Sequence, residues 1–226
     1  MILSLDTATE ILGLALLQEG RVVSRLTLAV GRRHSECLPG VLDRFLAEAG
    51  SAVSDLTGLA VSLGPGSFTG LRVGLSLAKG LAEALSLPLV GIPTLQALAW
   101  PYALSRLPVC GMLDARKKEV FCALFGPNGG TWGRLTPDRA LSPEALAEEI
   151  REATLLLGSG ARVYQEKFQA LLGARAVFIS PNPEAPDPGD IAYLGWRRLQ
   201  QGERDDLESL VPIYLRASDA ELKFRA

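Results

Sequence analysis

The sequence predicts an α/β protein of two lobes, each built on a mixed sheet, with the second lobe reduced. Three observations carry this. The chain opens with three short strands and no helix between them, unlike a simple dinucleotide-binding fold, which passes from strand to helix at once. Strands and helices then alternate, which implies parallel pairing through crossovers. After about Ser105 the same order, strands before helices, begins again in a shorter and less regular form, dividing the chain into 1–104 and 105–226.

The first strands are Ile2–Asp6, Leu12–Leu17 and Arg21–Leu28, joined by Thr7-Ala8-Thr9-Glu10 and Gln18-Glu19-Gly20. A helix is expected from about Ser35 to Ala49, where Leu38, Val41, Leu42, Phe45 and Leu46 share one face and Gly50 marks the stop. Gly58–Leu63 reads as a strand, Gly64-Pro65-Gly66-Ser67 as a tight turn and Ser67–Ser86 as a long helix. Leu89–Ile92 is a strand and Thr94–Ala103 a helix. In the second half, strands Val109–Leu113 and Val120–Phe125 flank Asp114-Ala115-Arg116-Lys117-Lys118-Glu119, and Gly126–Gly130 is a turn. Helix Pro143–Arg151, strand Thr154–Leu157, helix Ala161–Leu172 and strand Ala176–Ile179 follow. Residues 181–190 hold four prolines and read as loop, before a closing helix Ile191–Gln201.

Composition narrows the function. With 226 residues and 48% hydrophobic side chains, there is ample material for a core. The net charge of −2 supplies no overall basic field, so any RNA should be gripped mainly by another subunit. Cys37, Cys110 and Cys122 are odd in number and widely spaced, which excludes a disulfide framework and a zinc knuckle. The start of the chain lacks a basic n-region, and no apolar run reaches the length of a membrane span, so a cytoplasmic location is expected. A single histidine, His34, makes neither a metal site nor a recognisable triad, and it reads as a hydrogen-bonding residue at a helix entry.

The strongest local feature is Gly64-Pro65-Gly66-Ser67-Phe68-Thr69-Gly70-Leu71-Arg72-Val73-Gly74. It is neither a Walker A loop nor a dinucleotide fingerprint nor a nucleophile elbow. A tight turn capped by Ser67, leading into a closely packed helix, is the reading that the pattern favours. Gly70, Gly74, Ala78 and Ala82 form a ridge of small side chains, and the helix is apolar around most of its circumference. It should therefore be buried on two sides, the second being either the neighbouring helix or another chain. Asp6-Thr7-Ala8-Thr9 has two readings. Aspartate and threonine suit a turn, and a carboxylate with hydroxyls between strands is also how actin-like ATPases hold a metal-bound phosphate. The tip Arg116-Lys117-Lys118 reads as solvated surface, with contact to RNA left open.

Taken in order, Asp6-Thr7-Ala8-Thr9, His34, Gly64 to Arg72, Pro93-Thr94-Leu95, Asp114-Ala115-Arg116 with Glu119-Val120-Phe121, Gly158-Ser159-Gly160 and Tyr214-Leu215-Arg216 resemble the TsaB (YeaZ) family of bacteria. The resemblance implies an actin-like fold of the Hsp70 and sugar-kinase type. It implies a non-catalytic subunit in the synthesis of threonylcarbamoyladenosine beside the tRNA anticodon, one that pairs with and activates a TsaD-like paralogue, joined by a TsaE-like ATPase. It implies pairing through the two helices of the first lobe, giving Leu38, Val41, Leu42, Phe45, Gly70, Val73, Gly74, Leu77, Ala78 and Leu81 as interface candidates. A homodimer through the same surface is expected when the partner is absent. No metal or cofactor is expected on this chain, with ATP or ADP and magnesium placed at the complex interface and a residual nucleotide site at Asp6, Thr7 and Thr9 left open. The competing readings are an ATPase or kinase in its own right, using that turn with Gly158, and a peptidase.

Overall fold

The computed structural model describes residues 1–216, so the last ten residues of the expected second lobe, 217–226, lie outside the described residues. The first sheet contains β1 (Ile2–Asp6), β2 (Ile11–Gln18), β3 (Arg21–Ala29), β4 (Gly58–Gly64) and β5 (Leu89–Pro93), in the order β3-β2-β1-β4-β5. The β1–β2–β3 meander is antiparallel, whereas β1, β4 and β5 run parallel. The crossovers that make them parallel are α1 (His34–Glu48) and α2 (Phe68–Leu85).

The pleat of β1 and β4 decides what each face meets. Leu3 and Leu5, with Leu59 and Val61, join Leu38, Val41, Phe45, Leu75 and Ala78 in one core beneath α1 and α2. The alternate positions face the closing helix α7 (Pro188–Gln200), to which the Ser4 hydroxyl is tied by donating to the Pro188 carbonyl at 2.7 Å. Small residues let α7 lie close: a Cβ at Gly195 would overlap that of Ala60, and Trp196 covers Gly20. Arg198 fastens the far end through the Gly91 carbonyl (2.8 Å) and Asp205 (2.9 Å).

The second sheet repeats this pattern. Its strands are β6 (Val109–Arg116), β7 (Glu119–Asn128), β8 (Thr131–Arg134), β9 (Arg139–Leu141), β10 (Thr154–Leu157) and β11 (Ala176–Phe178), in the order β11-β10-β6-β7-β8 with β9 also on β7. Again the early strands pair antiparallel and the later ones parallel. Cys110, Met112, Val120, Cys122, Leu156 and Phe168 form its core, with residues of α4 (Pro143–Glu149) and α6 (Gln165–Leu172). The three free cysteines are unpaired as disulfides, and burial pushes the Cys122 thiol up to about 12.

Several boundaries differ from those expected. The compact units are Met1–Ala97 with Pro186–Ile213, and Leu98–Ala185 with the chain from Tyr214. The closing helix thus belongs to the first unit, so the chain does not divide into consecutive halves at Ser105. Periodicity marks α7 as a helix but says nothing about which sheet it covers. The proline-rich stretch ends earlier than expected because Pro188 opens the helix at its first turn, where a missing N–H is harmless, and Asp187 caps it by accepting from the Gly189 amide at 2.7 Å. The expected turn Gly126–Gly130 is mostly strand, with only Gly129 and Gly130 turning into β8. The expected helix Thr94–Ala103 becomes α3 (Thr94–Ala99) followed by a 3-10 turn at Trp100–Tyr102 that contains Pro101. Ala161–Leu172 is two pieces, α5 (Ser159–Val163) and α6, broken at Tyr164.

Asp190 sits in the first turn of α7, where the helix dipole favours a carboxylate. Burial and the adjacent Asp187 outweigh this and the pull of Arg25, raising Asp190 to about 7. A carboxyl raised on folding holds its proton longer in the native state, so stability falls as pH rises from about 4 through 7. Asp190→Asn should remove that decline and leave the variant more stable than wild type at pH 8, by up to about 2 kcal/mol after solvent screening is allowed for. Urea melts at pH 5 and pH 8 measure this, and equal pH slopes in both proteins would contradict it.

Candidate functional site

The turn after β1 is locked against the glycine-rich turn that opens α2. Asp6 ends β1 almost fully buried and accepts from the Ala8 amide at 3.0 Å and from the Ser62 hydroxyl of β4. Burial pushes its carboxyl above the ordinary range, against the two hydrogen bonds and the nearby His34. The Thr7 hydroxyl donates to the Gly70 carbonyl at 2.8 Å, and the Ser67 amide donates to the Ala8 carbonyl at 2.7 Å. Thr9 Oγ1 accepts from the Ile11 amide at 3.1 Å, and its carbonyl accepts from His34 Nε2 at 2.8 Å. His34 is 3% exposed, and its Nδ1 has no hydrogen-bond partner, so the ring is anchored through Nε2 alone.

The glycines explain why so close a meeting is possible. A Cβ on Gly66 would overlap the Ala8 carbonyl oxygen, one on Gly70 the Thr7 carbonyl oxygen, and one on Gly74 the Thr7 hydroxyl. Ser67 caps the helix as expected, accepting from the Gly70 amide at 3.2 Å. Asp6 Oδ1, the Thr7 hydroxyl and Thr9 Oγ1, groups that could face a phosphate or its metal, thus each make a hydrogen bond within the chain itself. Among the described residues, no three His, Cys, Asp or Glu side chains gather as a metal site. Ser67, the residue a peptidase would need as nucleophile, spends its oxygen on the helix cap.

This packing places most of the interface candidates in the core of the first unit. Gly70, Gly74 and Ala78 are buried inside the first unit, where the small-residue ridge receives the chain's own Thr7 turn and sheet. Leu38, Val41, Leu42 and Phe45 are at most 5% exposed and belong to the same core. The α-helical period marks which residues share a face, but an inward face and a docking face look alike in sequence. Val73, Leu77 and Leu81 remain half-buried along α2, with Cys37 on α1 also half-buried. Gly40 and Gly80, which the sequence reading passed over, face open space. An apolar pattern with glycines on the outer side of two adjoining helices was the available signal.

In the second unit, Gly158 has φ of 101°, and a side chain there would overlap the Met112 carbonyl oxygen. Its amide donates to Asn182 Oδ1 at 2.8 Å, and Ser159 Oγ accepts from the Asp114 amide at 3.1 Å. This turn therefore fastens β10 to β6. Beyond Asp114, the β6–β7 hairpin tip carries three consecutive non-glycine residues at positive φ: Arg116 (58°), Lys117 (51°) and Lys118 (64°). Each such residue costs roughly 1 kcal/mol.

Comparison with known proteins agrees with this architecture. The chain is 30% identical to the tRNA threonylcarbamoyladenosine biosynthesis protein TsaB of Bacillus subtilis, over 99% of this chain and 97% of that protein. The chain belongs to the TsaB family. Residues 28–224 also match the family model for TsaD, tRNA N6-adenosine threonylcarbamoyltransferase. The solved structure of YeaZ from Pseudomonas aeruginosa superposes with a TM-score of 0.80 at 29% identity, covering 95% of this chain and 99% of that one. A ROK hexokinase from Thermus thermophilus shares the fold at a TM-score of 0.50 and 13% identity, covering 88% of this chain and 99% of that one, in keeping with the actin-like, sugar-kinase type of architecture in the TsaB family. No helix among the described residues is long and apolar enough to cross a membrane.

The clasp predicts how the family's glycine-rich turn responds to mutation. Gly74→Ala should destabilise the isolated chain by about 1–3 kcal/mol, because Thr7 must move or lose its bond to Gly70. Guanidinium melts of the purified chain, with no partner present, should show a lowered midpoint. An unchanged midpoint would mean that the ridge does not hold the β1 turn.

Proposed function

We propose that this chain is a non-catalytic partner subunit in the synthesis of threonylcarbamoyladenosine on tRNA, pairing with and activating a TsaD-like transferase, together with a TsaE-like ATPase. The name of its Bacillus relative supports the pathway. The observation that supports the non-catalytic part is the Asp6 turn, whose Asp6 Oδ1 and Thr7 hydroxyl are bonded to Ser62, Ala8 and Gly70 within the chain. An ATPase or kinase acting alone would need those groups turned toward nucleotide. ATP or ADP with magnesium belongs, in this reading, to the interface of the complex.

The pairing surface is the outer side of α1 and α2, with Val73, Leu77 and Leu81 as its apolar centre and Gly40 and Gly80 allowing close approach of a partner helix. Half-buried side chains gain further burial on association, each worth on the order of 1 kcal/mol. The same surface supports a symmetric homodimer when the paralogue is absent. The complex acts in the cytoplasm, and this chain meets tRNA as part of it.

Reconstitution tests the role. TsaD-like and TsaE-like partners should modify tRNA at an appreciable rate only when this chain is added, and equal modification without it would end the proposal. Leu77→Asp should weaken pairing with the TsaD-like partner at least tenfold by calorimetry while leaving the unfolding free energy within about 1 kcal/mol of wild type. Unchanged affinity would move the interface elsewhere.

A further inference from the structure

The outer row of α1 carries a pattern that its own chain does not use. Glu36, Gly40 and Arg44 are exposed and follow one another at four-residue spacing, so they form a single ridge. Gly40 sits inside the helix, where glycine is a poor choice, and a Cβ placed on it would meet nothing within 4 Å. The space it leaves is on the outside, where the missing side chain lets another helix come closest.

The charges on either side of Gly40 are opposite. Glu36 lies four residues before it and Arg44 four after. Eight residues of helix span about 12 Å, too far for the two to meet on one chain. Glu36 suits the first turn of a helix, but Arg44 stands outside the last turn, where the helix dipole gives it little. Only its Nε reaches the chain, at 3.4 Å from the Gly40 carbonyl. Arg32, just before the helix, and Glu48, in its last turn, repeat the opposition eight residues to either side. A carboxylate in the last turn is disfavoured by the same dipole, so Glu48 also gains from an outside cation.

A two-fold axis through Gly40 uses all of these features. It sets α1 antiparallel to its copy, brings the two glycines together, and places residues equally far from Gly40 opposite one another. Glu36 then faces Arg44 of the second copy, twice over by symmetry, and Arg32 faces Glu48 in the same way. A parallel arrangement would set like charges together. We propose that this chain self-associates through α1, antiparallel and centred on Gly40, with Glu36 and Arg44 as the charges that select a second copy. This contact rests on the proposed pairing surface and adds the residues that choose the partner and register. Val73, Leu77 and Leu81 of α2 supply uncharged area, whereas charge fixes register and rejects mismatched partners.

Sedimentation equilibrium of the purified chain tests this. Glu36→Arg and Arg44→Glu should each raise the dimer dissociation constant about tenfold at low salt, because two attractions become two repulsions, and the loss should shrink as salt is added. Glu36→Arg combined with Arg44→Glu should return the constant to within about twofold of wild type. In a Cys37→Ser background, Gly40→Cys should crosslink into a covalent dimer with glutathione disulfide as oxidant, since the new side chains meet across the axis while Cys110 and Cys122 are buried. A combined variant as weak as the single ones overturns the proposal, as does a dimer constant that ignores both reversals or an absent crosslink. A wild-type chain that stays monomeric also overturns it, and pairing with the TsaD-like partner, measured separately by calorimetry, then still decides the proposed function. If the wild-type chain dimerises as described but never pairs with that partner, the proposed function falls and this contact stands.

Discussion

The meeting of the Thr7–Ala8 backbone with the Gly66–Gly70–Gly74 edge of α2 is the contact on which the first unit depends. Two backbone segments can approach this closely only where no Cβ intervenes. Three glycines at four-residue spacing provide that on one side of a turn and helix. The hydrogen bonds from Thr7 to Gly70 and from Ser67 to Ala8 then satisfy groups that would otherwise be buried unpaired. Asp6 completes the arrangement through Ser62, which ties β1 to β4 at the end of the sheet where an actin-like enzyme would bind phosphate.

This contact links fold to role. In the actin-like architecture, the turn after the first strand is where chemistry would begin. Here that turn is hydrogen-bonded to the protein's own Ser62 and Gly70, and this corner fixes the register of α2 against the sheet. With α2 fixed on its inner side by glycines, its outer side presents Val73, Leu77 and Leu81 in a constant arrangement. In the proposed pairing, a partner meets a preset surface, which lowers the ordering cost of association. His34, which meets the Thr9 carbonyl from the start of α1, braces the other helix against the same turn.

The two units show how one topology can be put to different uses. Both sheets pair early strands antiparallel and later strands parallel. In the first, the turn between the opening strands is buried and glycine-clasped. In the second, the corresponding hairpin tip carries three exposed basic residues, and its base is held by Arg216. Topology sets where these turns lie, and local sequence sets whether each is buried or exposed.

Much of this was legible in the sequence. The opening meander, the crossovers α1 and α2, the Ser67 cap and the repeated order of the second half all follow from local periodicity and turn chemistry. The short strands Thr131–Arg134 and Arg139–Leu141 were not legible, because strands of four and three residues, the first with a glycine in it, have too little pattern to mark. The lobe to which α7 returns was also hidden, since an amphipathic helix shows that it has a buried face but not which sheet supplies the other half. The direction of the Gly70–Gly74–Ala78 ridge was decided in the same way. The sequence by itself determined that a backbone would approach those glycines. Only the tertiary structure decided that the backbone is the chain's own Thr7–Ala8 turn, because close approach is a property of two surfaces and the sequence displays one at a time.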